Sequence, residues 1–375
     1  MPSTDQLSAQ LDRLASFDGG PYPVLSLYLN LQPNQHGRDE FDRFLRKELT
    51  ERVGTYPAEE PERRSLEQDV VRIRGYLAEV DPSLNGLAIF ACSAAGLFEA
   101  VGLAAPIGEH SLHIAPLPHL YPLTRLLDDY PRYAVLLADT NSARLFVVAT
   151  NVVRETTTVE GTKTRRHKMG GWSQARYQRH IDHYHQQHAK EVVEATSRLM
   201  ADESIEALIL AGDEVILPLL RAEMPQALSD RVVDVLSLDI RAPEHEVLAA
   251  TTELIRRSDA TSDRARVEAL LDAYRSGGLG VIGTEETERA LDLGQVDELL
   301  IAGEPTSLEL GEESPVSDRV EGGSNDPEPE LAPAEAIADT LVSKARRTSA
   351  RVTVIQDPSL LAPAGGVGAL LRFRL

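Results

Sequence analysis

The stretch KTRRHKMGGWSQARYQRHIDHYHQQHAKEVVEATSRLM, residues 163–200, decides how this 375-residue chain is read. It opens as a basic segment broken by Gly170-Gly171 and continues as a helix signal. Ile181, Tyr184, His188, Val192, Ala195 and Leu199 recur every three or four residues, the spacing of one helix face. The spacing predicts a helix from about Ser173 to Met200. Strand-like runs flank it, Asn151 to Val159 before and Ala207-Leu208-Ile209-Leu210-Ala211 after. A strand, a glycine-containing loop, a long amphipathic helix and another strand make an α/β layer.

Working outward, that layer extends over residues 129–262. Tyr133 to Ala138 and Ala143 to Val148 read as strands joined by the turn Asp139-Thr140-Asn141-Ser142. A helix near 214–223, a strand from Val232 to Leu238 and a last helix complete it. The block 1–128 begins with a short helix and the strand Pro23 to Leu29, followed by charged helices near 38–53 and 62–80. Strands at Leu87 to Ala91 and Leu97 to Leu103 come next. The prolines at 116, 118, 122 and 131 predict an extended linker out of this block. The block 263–375 alternates a helix to Tyr274, strand 280–282, helix 284–293, strand 296–301, helix 333–347, strand 352–355 and the terminal run Gly365 to Phe373. Such alternation again predicts an α/β sandwich. At this length each of the two or three domains can bury its own core.

Composition first argues against a nucleic-acid partner and then locates one. The formal net charge is −21, from 59 Asp plus Glu against 38 Lys plus Arg, and polyanions repel such a chain on average. Residues 161–190, however, hold seven Lys or Arg against the single acid Asp182, a local charge of about +6 that leaves about −27 elsewhere. Residues 301–335 hold ten acids against Arg319, with Pro, Gly and Ser throughout, so an acidic flexible insertion is expected over 303–332. The lone Cys92 has no disulfide partner and, in an apolar strand, reads as a small buried hydrophobe. The N-terminal residues lack a signal-peptide pattern and no apolar run reaches membrane-spanning length. The expectation is a cytoplasmic protein with no membrane partner.

The basic loop carries the most chemistry. Two adjacent glycines stand before the helix start, where the first N–H groups and the helix dipole favour anions. Lys163, Arg165, Arg166, His167, Lys168, Arg176 and Arg179 supply cations, and Trp172 offers a face for a base. A phosphate-rich, RNA-type partner is expected there, although the composition also fits a solvated surface loop. Five of the ten histidines fall in residues 161–190, but His180, His183, His185 and His188 lack the i, i+4 pairing of helical zinc sites and a nearby cysteine. No metal and no cofactor is expected. Asp213-Glu214 after a strand reads as the acidic start of a helix rather than a catalytic pair. Gly277-Gly278-Leu279-Gly280 follows a helix and so terminates it instead of cradling phosphate. Neither a nucleophile elbow nor a Walker or dinucleotide-binding loop is present.

Three patches resemble one family. His167-Lys168-Met169-Gly170-Gly171-Trp172-Ser173-Gln174-Ala175-Arg176-Tyr177 is similar to the basic Gly-Gly-Gln loop of the archaeal and eukaryotic peptide chain release factor (eRF1) and Pelota superfamily. Gly280 to Leu300 and Gly365 to Phe373 are similar to that family's third domain. The chain resembles the bacterial branch, which includes Balon-type ribosome hibernation factors. The resemblance implies a mixed α/β N-terminal domain, an RNase H-like α/β middle domain with the basic loop, and an L7Ae-like α/β sandwich at the C-terminus. It also implies occupancy of the ribosomal A site, with rRNA and P-site tRNA as neighbours, a translational GTPase at the third domain, and action as a monomer.

One departure matters for chemistry. Active release factors of the family carry Gln after Gly-Gly, where this chain has Trp172. An indole has one donor and no acceptor, so it cannot orient water as an amide does. Gly170, Gly171, Trp172 and Gln174 therefore form a candidate loop without an assigned catalytic residue. The leading expectation is a non-catalytic A-site factor in hibernation, stress protection or rescue. Peptidyl-tRNA ester hydrolysis through the retained loop is the enzymatic alternative. A protein-interaction module using the acidic insertion, without a ribosomal role, is the third.

Overall fold

The computed structural model describes residues 4–32, 41–149, 152–160, 173–308 and 333–374. Two compact units divide the chain, Met1–Asp129 with Ala260–Leu375, and Tyr130–Asp259.

The N-terminal part of the first unit contains α1 (Thr4–Ala15), β1 (Val24–Asn30), α2 (Phe41–Gly54), α3 (Pro61–Leu77), β2 (Gly86–Cys92), β3 (Leu97–Leu103), β4 (Ser111–Ala115) and α4 (Tyr121–Asp129). Its antiparallel sheet has the order β3-β2-β1-β4. Strand alternation sends Leu25, Leu27, Leu29 and Leu87 into a core with Leu45, Leu49, Leu66 and Ile73 of α2 and α3. Tyr28, Ala88 and Phe90 point to the other face, against Leu7, Leu11 and Leu14 of α1. Both faces are covered, so these strands read as near-continuous apolar runs.

The second unit contains β5 (Tyr133–Ala138), β6 (Ser142–Ala149), β7 (Val152–Glu160), α5 (Ser173–Asp202), β8 (Ala207–Gly212), α6 (Ile216–Glu223), α7 (Gln226–Ser229) and β9 (Val232–Leu236), followed by α8 (Glu244–Arg275). The sheet order is β7-β6-β5-β8-β9. β5, β8 and β9 run parallel, while β6 is antiparallel to both its neighbours. This is an RNase H-like arrangement. Ala134, Leu136 and Ala138 pack under α5 and α6, and Tyr133, Val135 and Leu137 pack under Val247 and Ile255 of α8.

The expected last helix of the middle block and the helix ending at Tyr274 are one element. α8 runs for 32 residues, since no glycine or proline interrupts residues 244–275. It stops at Gly277, whose φ of +67° closes the helix in the left-handed region that favours glycine.

The C-terminal part of the first unit adds β10 (Gly280–Ile282), α9 (Thr284–Asp292), β11 (Val296–Ala302), α10 (Pro333–Arg347), β12 (Arg351–Ile355), α11 (Pro358–Leu361) and β13 (Val367–Leu371). The order is β10-β13-β11-β12, with β11 and β12 parallel and β13 antiparallel to both its neighbours. Leu300 and Ala302 face Val267 and Leu270 of α8. Leu299 and Ile301 face the α9 and α10 side. Helices on both faces make this an α/β sandwich.

The first and third blocks do not keep separate cores. Leu11, Tyr28 and Phe90 belong to the same buried cluster as Ile301, Leu341 and Val342. A polar knot crosses that cluster. Asp339 of α10 contacts Nδ1 of buried His119 and accepts the Tyr121 N–H at 2.8 Å. The His119 N–H donates to Ser26 Oγ at 3.0 Å, and the Tyr121 hydroxyl donates to the Ala302 carbonyl at 2.6 Å.

The extended linker expected through the prolines is therefore not what forms. His119, Leu120 and Tyr121 are buried and α4 begins at once, because Pro122 stands in the first helical turn, where a missing N–H costs nothing. Residues 303–308, expected to begin the acidic insertion, are also packed. Gly303 donates to the Ile355 carbonyl at 2.9 Å and Leu308 is buried. Gly366, with φ +82°, admits this segment, since a Cβ there would meet the Ser307 oxygen at 2.3 Å. Residues 309–332 of that insertion lie outside the described residues.

Two partly or fully buried groups titrate with opposite consequences. Burial lowers the His113 pKa from 6.5 to about 3, and burial raises that of Asp69 to about 6 although both the N–H and the hydroxyl of Ser93 donate to it. Between about pH 4 and 6 the unfolded chain binds more protons at His113, so stability rises with pH. At Asp69 the folded chain binds more, so stability falls. Each effect is at most about 1.4 kcal/mol per pH unit. In urea titrations His113→Leu should leave stability falling from pH 4 to 6, and Asp69→Asn should leave it rising. Parallel slopes in both variants would refute the assignment. Asp339→Ala should destabilise the first unit by about 3 kcal/mol by orphaning His119 and the Tyr121 N–H, and Asp339→Asn, which keeps an acceptor, by less.

Candidate nucleic-acid interface

Strand β7 is the edge of the five-stranded sheet, held to β6 from Val152 to Glu160, with an irregularity in register beside Phe146. The basic segment connects this edge strand to α5. Lys163, Arg165, Arg166, His167, Lys168, Gly170, Gly171 and Trp172 lie outside the described residues. Gln174, Arg176 and Arg179 fall in the first two turns of α5.

The far end of that connection is firmly built. His188, Ala189, Val192, Val193, Thr196 and Met200 are buried along α5. Ala195 and Leu199, expected on the stripe, are only half-buried. The buried face is displaced by about one residue because Thr196 can be enclosed: its hydroxyl donates to the Val192 carbonyl at 2.8 Å. The helix therefore stands on an apolar footing of Val192 and Val193 against Leu136 and Leu145, and burying each such side chain contributes about 1.5–3 kcal/mol.

The electrostatics of the helix start agree with an anionic partner. The first turn of α5 carries no acid, whereas α8 begins with Glu244 and Glu246 and α9 with Glu285 and Glu286. Acids there offset the helix dipole. No acid of its own first turn offsets the dipole of α5, and the segment of highest positive charge precedes that turn in sequence. The dipole and those cations can together hold phosphate oxygens.

The helix histidines separate. His183 is exposed, His185 half-buried and His188 buried, with neither ring nitrogen of His188 hydrogen-bonded among the described residues. Among the described residues no group of three His, Cys, Asp or Glu is placed to hold a metal. Register pairs Ala138 of β5 with Gly212 of β8, which brings Asp139 and Asp213 to the same end of two parallel strands. Their separation in sequence hides this. Both carboxylates are committed to local turns. Asp213 Oδ1 accepts the N–H groups of Val215 and Ile216, each at 2.9 Å, and Asp139 Oδ1 accepts those of Asn141 and Ser142, each at 2.7 Å. Cys92 is buried, and burial pushes its thiol pKa up, as for a structural side chain. No helix among the described residues is long and apolar enough to cross a membrane.

An RNase H-like unit that ties a strongly basic connection between an edge strand and the start of a long helix, together with an α/β sandwich, defines the class. Residues 118–256, which span that unit, match the family described as bacterial archaeo-eukaryotic release factor family 10. Peptide chain release factor subunit 1 of Aeropyrum pernix is 23% identical over 396 residues, covering 100% of this chain and 96% of its own. The same factor of Methanopyrus kandleri is 25% identical over 192 residues, covering 49% of this chain and 46% of its own. Among solved structures, an archaeal Pelota from a ribosome-bound assembly with ABCE1 is similar at 18% identity, over 75% of this chain and 85% of that chain, with a TM-score of 0.44. Residues 118–256 thus match a bacterial release-factor family, and along its length the chain is similar to the Aeropyrum pernix release factor subunit.

If Asp213 is a cap and not a reacting group, Asp213→Ala should lower the stability of the second unit by about 1 kcal/mol. RNA binding by the purified chain should change by less than twofold. A loss of binding with unchanged stability would give Asp213 a role in the interface instead.

Proposed function

We propose that this protein occupies the ribosomal A site without hydrolysing peptidyl-tRNA, in hibernation, stress protection or rescue. The observation that carries the reading is the segment 161–190, of about +6 in a chain of −21, leading into a helix start free of acids. In that segment Trp172 stands where the family's active members have Gln. Lys163, Arg165, Arg166, His167, Lys168, Arg176 and Arg179 contact rRNA phosphates, and Trp172 stacks against a base of rRNA or of the P-site tRNA. The C-terminal block 263–375, which shares its core with block 1–128, meets a translational GTPase. The acidic remainder of about −27 suppresses indiscriminate binding to RNA and leaves one directed contact.

Trp172 bears on the enzymatic alternative directly. Hydrolysis needs a group that accepts from and donates to the attacking water, and the indole can only donate. The purified chain should therefore leave peptidyl-tRNA intact on stalled ribosomes. Peptide release by the wild-type chain that disappears in Gly171→Ala would establish the hydrolase reading in its place.

Ribosome cosedimentation from stationary-phase or stressed extracts tests the binding itself. Association should be lost in Arg165→Glu plus Arg166→Glu. With purified ribosomes, the slope of log affinity against log salt should fall by about 2 in that variant. A wild-type chain that does not cosediment, or a double variant that binds as the wild type does, would overturn the proposal.

A further inference from the structure

A cleft of about 310 Å³ opens in the first unit at the turn between α10 and β12, lined by Asp12, Asp297, Arg346, Ser349, Ala350 and Arg351. Two guanidinium side chains, those of Arg346 and Arg351, are among its lining residues. Arg346 Nε is buried and has no hydrogen-bond partner among the described residues. The rest of its guanidinium is held loosely, with Nη1 at 3.6 Å from Asp12 Oδ1 and 3.3 Å from Ser8 Oγ. Desolvation of Arg346 outweighs the compensation from Asp12, and its pKa is lowered. Arg351 stands exposed on the rim without an acidic partner among the described residues.

Ser349 is the third donor, and its backbone is the informative part. It holds a φ of +54° as it closes α10, with its N–H on the Arg346 carbonyl at 3.1 Å and that of Ala350 on the Ala345 carbonyl at 2.8 Å. Glycine is the ordinary residue at such a left-handed helix end. Serine keeps the strain and adds a hydroxyl to a residue that lines the cleft, and no hydrogen bond among the described residues uses that hydroxyl. Strained backbone of this kind collects at ligand sites.

The opposite wall supplies acceptors. Asp12 faces Arg346, and Asp297 lies 3.3 Å from Arg372, which also donates to the Ser349 carbonyl at 2.7 Å. Both carboxylates are more than half exposed. A polyphosphate or RNA strand would meet two negative charges at the mouth, whereas a small ligand with an anionic end and a donor end would satisfy both walls.

We propose that this cleft binds a small oxyanion, a phosphate monoester or a carboxylate, that carries an amino or hydroxyl group a few ångströms from the anionic centre. Arg346, Arg351 and Ser349 take the oxyanion, in the forked geometry that guanidinium offers to planar and tetrahedral anions. Asp12 and Asp297 take the donor.

Isothermal titration of the full chain with phosphoethanolamine, β-alanine and a short oligoribonucleotide tests this, the first two probes separating a phosphate from a carboxylate ligand. Saturable binding of at least one small probe is expected. Arg351→Glu should weaken it by about tenfold or more. Ser349→Gly relieves the backbone strain, so the fold is retained or stabilised, yet it should weaken binding by roughly 3-fold to 10-fold through the lost hydroxyl. Arg347→Glu, adjacent in sequence and outside the cleft, should leave the affinity within twofold. No saturable binding of either small probe, binding of the oligoribonucleotide alone, or unchanged affinity in Arg351→Glu and Ser349→Gly would each overturn the proposal.

Discussion

The contact between Asp339 and His119 is the constraint on which the first unit depends. One carboxylate, on a helix near the C-terminus, meets both a buried imidazole and the N–H that opens α4. Taking these polar groups out of water is costly unless every one finds a partner. The geometry that satisfies them also aligns Leu341 and Val342 of α10 with Tyr28 and Phe90 of the N-terminal sheet. Hydrophobic burial supplies most of the driving force, and the polar knot selects one arrangement among those that would bury similar area. Arg346 adds a weaker second tie through Ser8 and Asp12 of α1.

A discontinuous first unit changes how the chain must fold. Its two parts are separated by the whole second unit, so their shared core is a long-range contact whose closure entropy has to be met before it is rewarded. The second unit, by contrast, is continuous in sequence, and its two cores are built from residues 133–255 alone. The basic connection is thus carried by the unit that can organise locally. Val192, Val193 and Met200 of α5 pack into the core of that unit, so the helix that follows the basic segment has a stable base.

Legibility differed by residue for physical reasons. The strands β5, β6 and β8 and the helices α3, α5 and α10 announce themselves because hydrophobic burial imposes a period of two or of about 3.6. Strand β4 does not, since Ser111, His113 and Ala115 alternate with only two apolar residues between prolines and glycines. The proline-rich segment misleads for a related reason. Proline density ordinarily means an extended chain, and only the buried neighbours of Tyr121 and Asp339 show that the same residues start a helix. The stripe of α5 was displaced by one residue because a threonine that satisfies its own hydroxyl can be buried as an apolar side chain is. In the candidate interface the charge, the glycine pair and Trp172 are visible in the sequence; the absence of acids from the α5 start becomes meaningful only once the helix boundary is known.

What the sequence by itself determined is local: element types, the basic connection before α5, the substitution of Trp172 for a glutamine, and the families of residues able to meet phosphate. These follow from short-range periodicity and from side-chain chemistry, which need no partner. The tertiary structure alone decided that blocks far apart in the chain share one core and that α8 is a single helix. It also paired Asp139 with Asp213 at one sheet end, and it drew Asp12, Asp297, Arg346, Ser349 and Arg351 around a common cleft. Apart from the continuity of α8, which lies in one uninterrupted segment, those are non-local pairings, and no short window of sequence contains both halves of any of them.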